Sequence, residues 1–265
     1  MDVLFIFAHQ DDEYGALPWI VKELRDGNSV SCIYLTDGGS RTAPEVRDRE
    51  SIAVLMRLGV AFHNICFLGD PDRIHDGSLL ANIARGEKEV SDWLALRGRA
   101  IRRIYSPAWE GGHPDHDVVH VIALYESLRL GIESDSWQFS IYNGYRCRKF
   151  FRSLRQIPSS AKKRSVRHRL ADGIAYAFMC LMYRSQLRTW LGLFPEAFMH
   201  RVVIREESVS QFQVDRVTQR PHEGPLLYER MFATHYEDLS EAIAPILSEI
   251  RRLRDLAAGR SGGSV

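Results

Sequence analysis

Short uninterrupted apolar runs alternate with helix-spaced stretches over the first 130 residues. Val3 to Ala8 (VLFIFA), Val30 to Thr36 (VSCIYLT), Ile65 to Leu68 and Ile101 to Ser106 read as strands buried on both faces. A fifth strand is expected over Gln138 to Tyr142. Between them, Tyr14 to Asp26, Pro44 to Leu58, Leu79 to Leu96 and Asp115 to Leu130 read as helices. Pro44 suits a first helical turn, and Gly27, Gly59 and Gly131 suit helix stops. Such alternation implies an α/β fold, a mainly parallel Rossmann-like sheet with right-handed crossovers and helices on both faces. Ligands gather at the carboxyl ends of strands in such sheets. The loops after Ala8, Thr36, Leu68 and Ser106 therefore matter most.

The second half changes character. Ile174 to Leu191 reads as an apolar and aromatic helix, Arg201 to Arg205 as a strand, and Leu239 to Leu256 as a charged final helix. The expected organisation is a core over 1–145, an extension packing on it over 146–258, and a disordered tail over 259–265.

Thirty-five basic and 34 acidic residues leave a net charge of +1, so nothing global favours nucleic acid. Cys32, Cys66, Cys147 and Cys180 form no CxxC pair, which fits a reducing compartment. No run approaches the roughly 20 apolar residues of a spanning helix. The start does not read as a signal peptide, because Asp2 replaces a basic leader and the apolar run ends at Ala8. A cytoplasmic protein is expected. One local exception stands out: between Ser136 and Ala171 there are ten basic residues and no acidic one. This window suggests peripheral contact with an anionic membrane or a phosphate-bearing substrate, whose route Arg146, Arg148, Lys149 and Arg152 would border. The alternative is a solvated face paired with distant acids.

Two loops carry the chemistry. The first strand runs into Ala8-His9-Gln10-Asp11-Asp12-Glu13, and the fourth into Glu110-Gly111-Gly112-His113-Pro114-Asp115-His116-Asp117. Together they offer imidazoles and carboxylates at one sheet edge, the donor set of a catalytic zinc with a position open for water. Adjacent side chains on a loop diverge, so one of Asp11 and Asp12 can ligate while the other faces the water as general base.

These loops resemble the two motifs of the LmbE/PIG-L family of zinc-dependent de-N-acetylases, AHPDDE at residues 8–13 and HPDH at residues 113–116. The resemblance covers about residues 1–145. It implies strand order 3-2-1-4-5, Zn2+ or another divalent metal on His9, Asp12 and His116, and Asp11 as general base. His113 would stabilise the tetrahedral intermediate or protonate the leaving amine. Arg47, with Glu50, would lie near the substrate, and Glu13 and Asp115 would orient the ligands. The substrate implied is a small-molecule or lipid-linked amino sugar carrying an N-acetyl group. Two departures are visible: Gln10 replaces the family proline, and Gly111 stands where some relatives place a carbonyl-polarising tyrosine.

Trp109, tethered to the second loop, is a further candidate to stack on a sugar. Tyr183 to Trp190 and Tyr228-Glu229-Arg230 are candidates to close the site, and His120 reads as a packing or surface histidine. Asp37 to Gly39, Asp70 and Asp72 read equally as turns or pocket walls. An amidase acting on another N-acyl group, and a non-catalytic sugar-binding homologue, are the alternatives. A dinucleotide fold fails, since HQDDEYG is not GxGxxG.

Overall fold

The computed structural model describes residues 1–39, 42–69, 74–147 and 151–261. In the first half, five strands alternate with helices: β1 (Asp2–Phe7), α1 (Leu17–Arg25), β2 (Ser29–Tyr34), α2 (Pro44–Leu58), β3 (Ile65–Phe67), α3 (Ile83–Arg97), β4 (Ile101–Pro107), α4 (Pro114–Arg129) and β5 (Trp137–Phe139). They form a parallel sheet in the order β3-β2-β1-β4-β5, as expected. Pleat alternation explains why β1 has no polar face. Leu4, Ile6 and Ala8 pack with residues of α3, α4 and the last helix, whereas Val3, Phe5 and Phe7 pack with Trp19, Ile20 and Leu55 of α1 and α2. Strand order reverses between β1 and β4, so the loops leaving their carboxyl ends diverge around one crevice.

The second half contains β6 (Tyr142–Asn143), β7 (Arg152–Ser153), β8 (Lys163–Arg167), α5 (Leu170–Phe178), α6 (Leu187–Phe198), β9 (Glu206–Gln211), α7 (Leu227–Met231) and α8 (Tyr236–Ser261). It extends the sheet: β9 pairs antiparallel with β5, and β8 pairs with β9 as the new edge. The 146–258 stretch thus shares the sheet of the first 145 residues. The lysine and arginines of the edge strand β8 guard its unpaired backbone against other chains.

Three local expectations need correction. Arg201 to Arg205 is not a strand; Met199–Ile204 forms a π-helical turn, and the strand begins at Glu206. Buried Arg201 decides this, with its guanidinium 4.4 Å from the Tyr14 ring and 3.2 Å from Glu207. Ile174 to Leu191 is not one helix either. It breaks between α5 and α6 at Tyr183, whose backbone leaves the helical region (φ −90°, ψ 68°). Finally, α8 continues to Ser261, into the expected tail, and the rest of that tail lies outside the described residues. No helix among the described residues is long and apolar enough to cross a membrane.

Candidate active site

The first motif turns sharply out of β1. Asp11 adopts φ 113°, a strained value for a non-glycine residue, and its amide is held by Glu13 Oε2 at 3.0 Å. This turn sends Asp11 and Asp12 in different directions. Asp12 points back beneath the strand end, where its Oδ2 accepts the amides of Ala8 and His9, both at 2.9 Å. Its Oδ1 lies 2.9 Å from His116 Nε2. The second motif caps α4: His113 is the N-cap, with Nδ1 accepting the Asp115 amide at 3.2 Å, and Pro114 occupies the first turn. One helical turn then places Asp115 and His116 under the same crevice.

The loops converge as the motifs imply. His9, Asp12 and His116 each offer a donor atom, all within 4.8 Å of one another, and all three residues are buried. His116 is 1% exposed, yet its Nδ1 has no polar partner and its Nε2 meets only the Asp12 carboxylate. A buried imidazole with one orphaned nitrogen and the other against a carboxylate fits a metal ligand better than a packing histidine. His9 is oriented from behind, its Nε2 lying 3.1 Å from Asp115 Oδ2 and 3.2 Å from Asp76 Oδ1. Asp115 in turn accepts the amides of Gly77 and Leu79 at 2.8 and 3.1 Å. The electrostatics agree, since the crevice favours positive charge. Burial alone would lower the His9 pKa, but Asp76, Asp115 and Asp12 hold it well above its ordinary value. Burial would likewise raise Asp12, but His116 and His9 hold it well below the usual carboxylate range.

Asp11 is the exception among the carboxylates. Burial, with Asp12 and Glu13 adding to it against the pull of Arg47, raises it to about 7. His113 moves the other way, down to about 3, through burial and the charge of His9. Its Nδ1 accepts a backbone N–H, so the neutral ring carries its proton on Nε2. Arg47 reaches from α2 to Asp11 Oδ1 at 3.1 Å and Asp76 Oδ2 at 3.2 Å, and also donates to the carbonyls of Gly38 and Gln10. Gln10, in place of the family proline, bonds Asp48 at 2.7 Å. It fits because residue 38 is glycine: a Cβ there would stand 2.0 Å from Gln10 Oε1.

These groups line a cavity of about 400 Å³. Its floor is His9, Asp11, Asp12, Arg47, Asp76 and His113, and its wall is Tyr142, Gln186, Thr189, Trp190, Leu193 and Phe232. A second cavity of about 410 Å³ shares Tyr142, Gln186, Thr189, Leu193 and Phe232 and adds the apolar Phe151, Leu227 and Met231. The Tyr183 to Trp190 segment does reach the site. Its Tyr183 hydroxyl donates to Glu13 Oε1 at 2.9 Å, and Trp190 lines the cavity.

Other candidates lie elsewhere. Trp109 does not line this cavity; it is 4% exposed in the core, and its indole N–H donates to the Gln219 carbonyl at 3.0 Å. Glu50 anchors the turn before α6 instead, accepting from the amide and hydroxyl of Ser185 at 3.0 and 2.6 Å. Tyr228 is buried, and Phe232, four residues on, takes the place at the wall. His120 packs against Phe212, with Nδ1 3.1 Å from the Pro107 carbonyl. Asp37 is buried beside the site, holding the Asp76 amide at 3.0 Å. Arg146 and Arg152 line neither cavity; Arg148, Lys149, Asp70 and Asp72 lie outside the described residues. Elsewhere in the basic window, Arg164 lies 3.9 Å from Asp135 and Arg169 3.1 Å from Asp172.

Sequence reasoning missed Asp76 and Tyr142. Asp76 follows the third strand, where only Asp70 and Asp72 drew notice. Nothing local marks it, because its partners His9 and Arg47 are distant in sequence. Tyr142 lies at the end of the expected fifth strand. It enters the cavity with its ring 5.3 Å from that of His116, although residue 111, the tyrosine position of some relatives, is glycine.

Solved structures share the fold. A deacetylase of the teicoplanin biosynthesis pathway, solved as a complex with BOG, is 15% identical, with 79% of this chain and 97% of that chain covered and a TM-score of 0.59. The zinc-inhibited form of teicoplanin deacetylase is also 15% identical, with 79% and 97% covered and a TM-score of 0.56. N,N'-diacetylchitobiose deacetylase from Pyrococcus horikoshii is 18% identical, with 80% and 83% covered and a TM-score of 0.57. At such identities the likeness shows the fold alone. No curated protein matches the chain by sequence. Residues 4–125 do match a family, described as PIG-L: GlcNAc-PI de-N-acetylase. That stretch, somewhat under half of the chain, holds both motifs and every histidine and carboxylate of the cluster.

Proposed function

We propose that this protein is a divalent-metal-dependent hydrolase, with zinc as the metal, that removes the acetyl group from an N-acetylglucosamine-type sugar or glycoconjugate. The observation that carries the reading is the trio His9, Asp12 and His116, buried and converging within 4.8 Å, with Asp11 beside it. An N/O donor set suits zinc and other first-row ions. A cation held there supplies Lewis acidity and a water of lowered pKa.

The chain's own residues divide the remaining work. Asp11 accepts a proton from the attacking water and returns it to the departing amine. His113, neutral and protonated on Nε2, donates a hydrogen bond to the oxyanion. Arg47 holds Asp11 in place, and Asp115 and Asp76 fix the His9 ring. The water oxygen joins the acyl carbon, the carbon–nitrogen bond breaks, and acetate and a free amino sugar leave. Trp190 and Tyr142 at the wall suit a sugar face, and the adjoining apolar cavity suits an apolar aglycone.

The test is metal analysis of the purified protein together with a fluorescamine assay for amine released from a panel of N-acetylated sugars and other N-acyl compounds. Stoichiometric zinc and amine release from acetamido sugars are expected. Release only from non-sugar amides would move the function to the amidase reading, and no release from any member would leave a sugar-binding homologue.

A further inference from the structure

Helices α5 and α6 are apolar on both sides. Their inner sides are ordinary: Tyr176, Ala177 and Cys180 of one segment and Trp190, Leu193 and Ala197 of the other belong to a buried cluster with Tyr14, Leu17 and Val54. Their outer sides are unusual. On α5 and the turn after it, Leu170, Ile174, Phe178 and Leu181 follow one another at helical spacing, and all are exposed. On α6, Leu187 and Leu191 are 42% and 80% exposed and continue through the half-buried Phe194 and Phe198 at the same spacing. The two stripes are joined. The Phe178 ring lies 5.7 Å from that of Phe194 and 6.2 Å from that of Phe198. Met199, Val203 and Ile204 of the following π-helical turn extend the surface. Of the 17 large apolar side chains exposed among the described residues, nine lie between residues 170 and 204. Isolated exposed leucines need no explanation, but a joined patch does.

Charge indicates what covers it. Between residues 162 and 205 there are nine basic side chains and two acidic ones. Arg188, one turn before Leu191 on α6, and Arg184, in the turn that leads into α6, are both exposed. Lys162, Lys163 and Arg167 stand exposed on the approach to α5. None of these five has an ion-pair partner among the described residues. Two copies meeting through this face would set like charges against each other, which opposes self-association. An apolar, aromatic face rimmed by cations instead matches an anionic bilayer surface, which takes the apolar side chains into its interface and attracts the cations. The position also makes sense, because α6 carries the patch outward and the cavity wall inward through Trp190 and Leu193.

We infer that the outer face of α5, α6 and the π-helical turn docks on anionic lipid membranes. This does not depend on which reaction the cavity performs. The experiment is flotation of the full chain with vesicles of phosphatidylcholine alone or of equal parts phosphatidylcholine and phosphatidylglycerol. Two variants join it: Leu187→Ser with Leu191→Ser, and Arg184→Glu with Arg188→Glu. None of these side chains lines either cavity, and thermal melting checks that both variants fold. The wild type should float with the anionic vesicles at least about tenfold better than with the neutral ones, and added salt should weaken the binding. Each variant should lose about tenfold or more of that binding. Equal flotation of wild type and folded variants would overturn the inference, as would no flotation at all. A dimer in solution that the leucine substitutions dissociate would assign the face to a second copy instead.

Discussion

The floor of the cavity comes from the segments that follow β1, β3 and β4, with Arg47 of α2, whereas its wall comes mainly from elements of the second half: β6, α6 and the end of α7. The floor is dense in charge: His9, Asp11, Asp12 and Asp76 are bonded to one another, to backbone amides or to Arg47. The wall is mostly uncharged, with Tyr142, Trp190, Leu193 and Phe232 facing the same space. The difference separates two tasks. Groups whose positions must be fixed to a fraction of an ångström sit on rigid strand ends with their lone pairs committed. Groups that only shape a space sit on elements held by packing. Hydrogen bonds tie the parts together, among them the buried one from Tyr183 to Glu13 and the half-buried one from Ser185 to Glu50.

Damage to the floor should give the largest effects. His116→Ala should remove the bound metal and activity together, while Asp11→Ala should keep the metal and lose about 10²–10⁴-fold in turnover. Metal analysis and single-turnover rates separate the two. An Asp11→Ala protein of near-wild-type rate would remove Asp11 as the base.

A contrast on one helix sharpens the floor further. His116 and His120 are a turn apart on α4, but His120 is a core residue, and burial lowers its pKa to about 4. Unfolded, it titrates near 6.5, so the unfolded chain binds the extra proton first. The stability that neutral His120 contributes is complete above about pH 6.5. It should fall as pH drops, by about 3 kcal/mol once pH is below about 4. Urea titrations of wild type and His120→Asn across this range should diverge. Parallel curves would mean that His120 is not held neutral.

The tie between floor and wall is smaller. Tyr183→Phe leaves a lone pair of buried Glu13 without its donor and should cost about 1–3 kcal/mol in chemical denaturation. A variant as stable as wild type would show that the contact carries no energy. Smallest is the wall itself: Phe232→Ala should raise KM about tenfold and change kcat far less, since it removes binding common to ground and transition states. An equal fall in kcat would break the division of tasks, with Phe232 then acting through His113, whose ring centroid is 4.6 Å away.

Much of the first half was legible. Pro44 to Leu58 was read as a helix and is α2, residue for residue, because a proline start and a glycine stop bracket it. The strands were legible as continuous apolar runs, and the motif histidines and carboxylates do converge. Trp109 was misread because an aromatic beside a ligand loop looks the same in sequence whether its ring faces the cavity or the core. Asp76 went unmarked because its meaning lies in distant partners.

The sequence by itself determined the elements and the chemistry of the floor, because hydrophobic period, capping residues and loop donors act over a few residues. It also determined that the chain is basic and apolar in turn across the second half. Tertiary structure alone decided that Arg201 would sit buried over Tyr14 and turn an expected strand into a π-helical turn. It decided that α5 and α6 would separate at Tyr183, and that one side of each would remain uncovered. The physical reason is range: spacing fixes which side chains share a face, but only the packed chain fixes what that face meets.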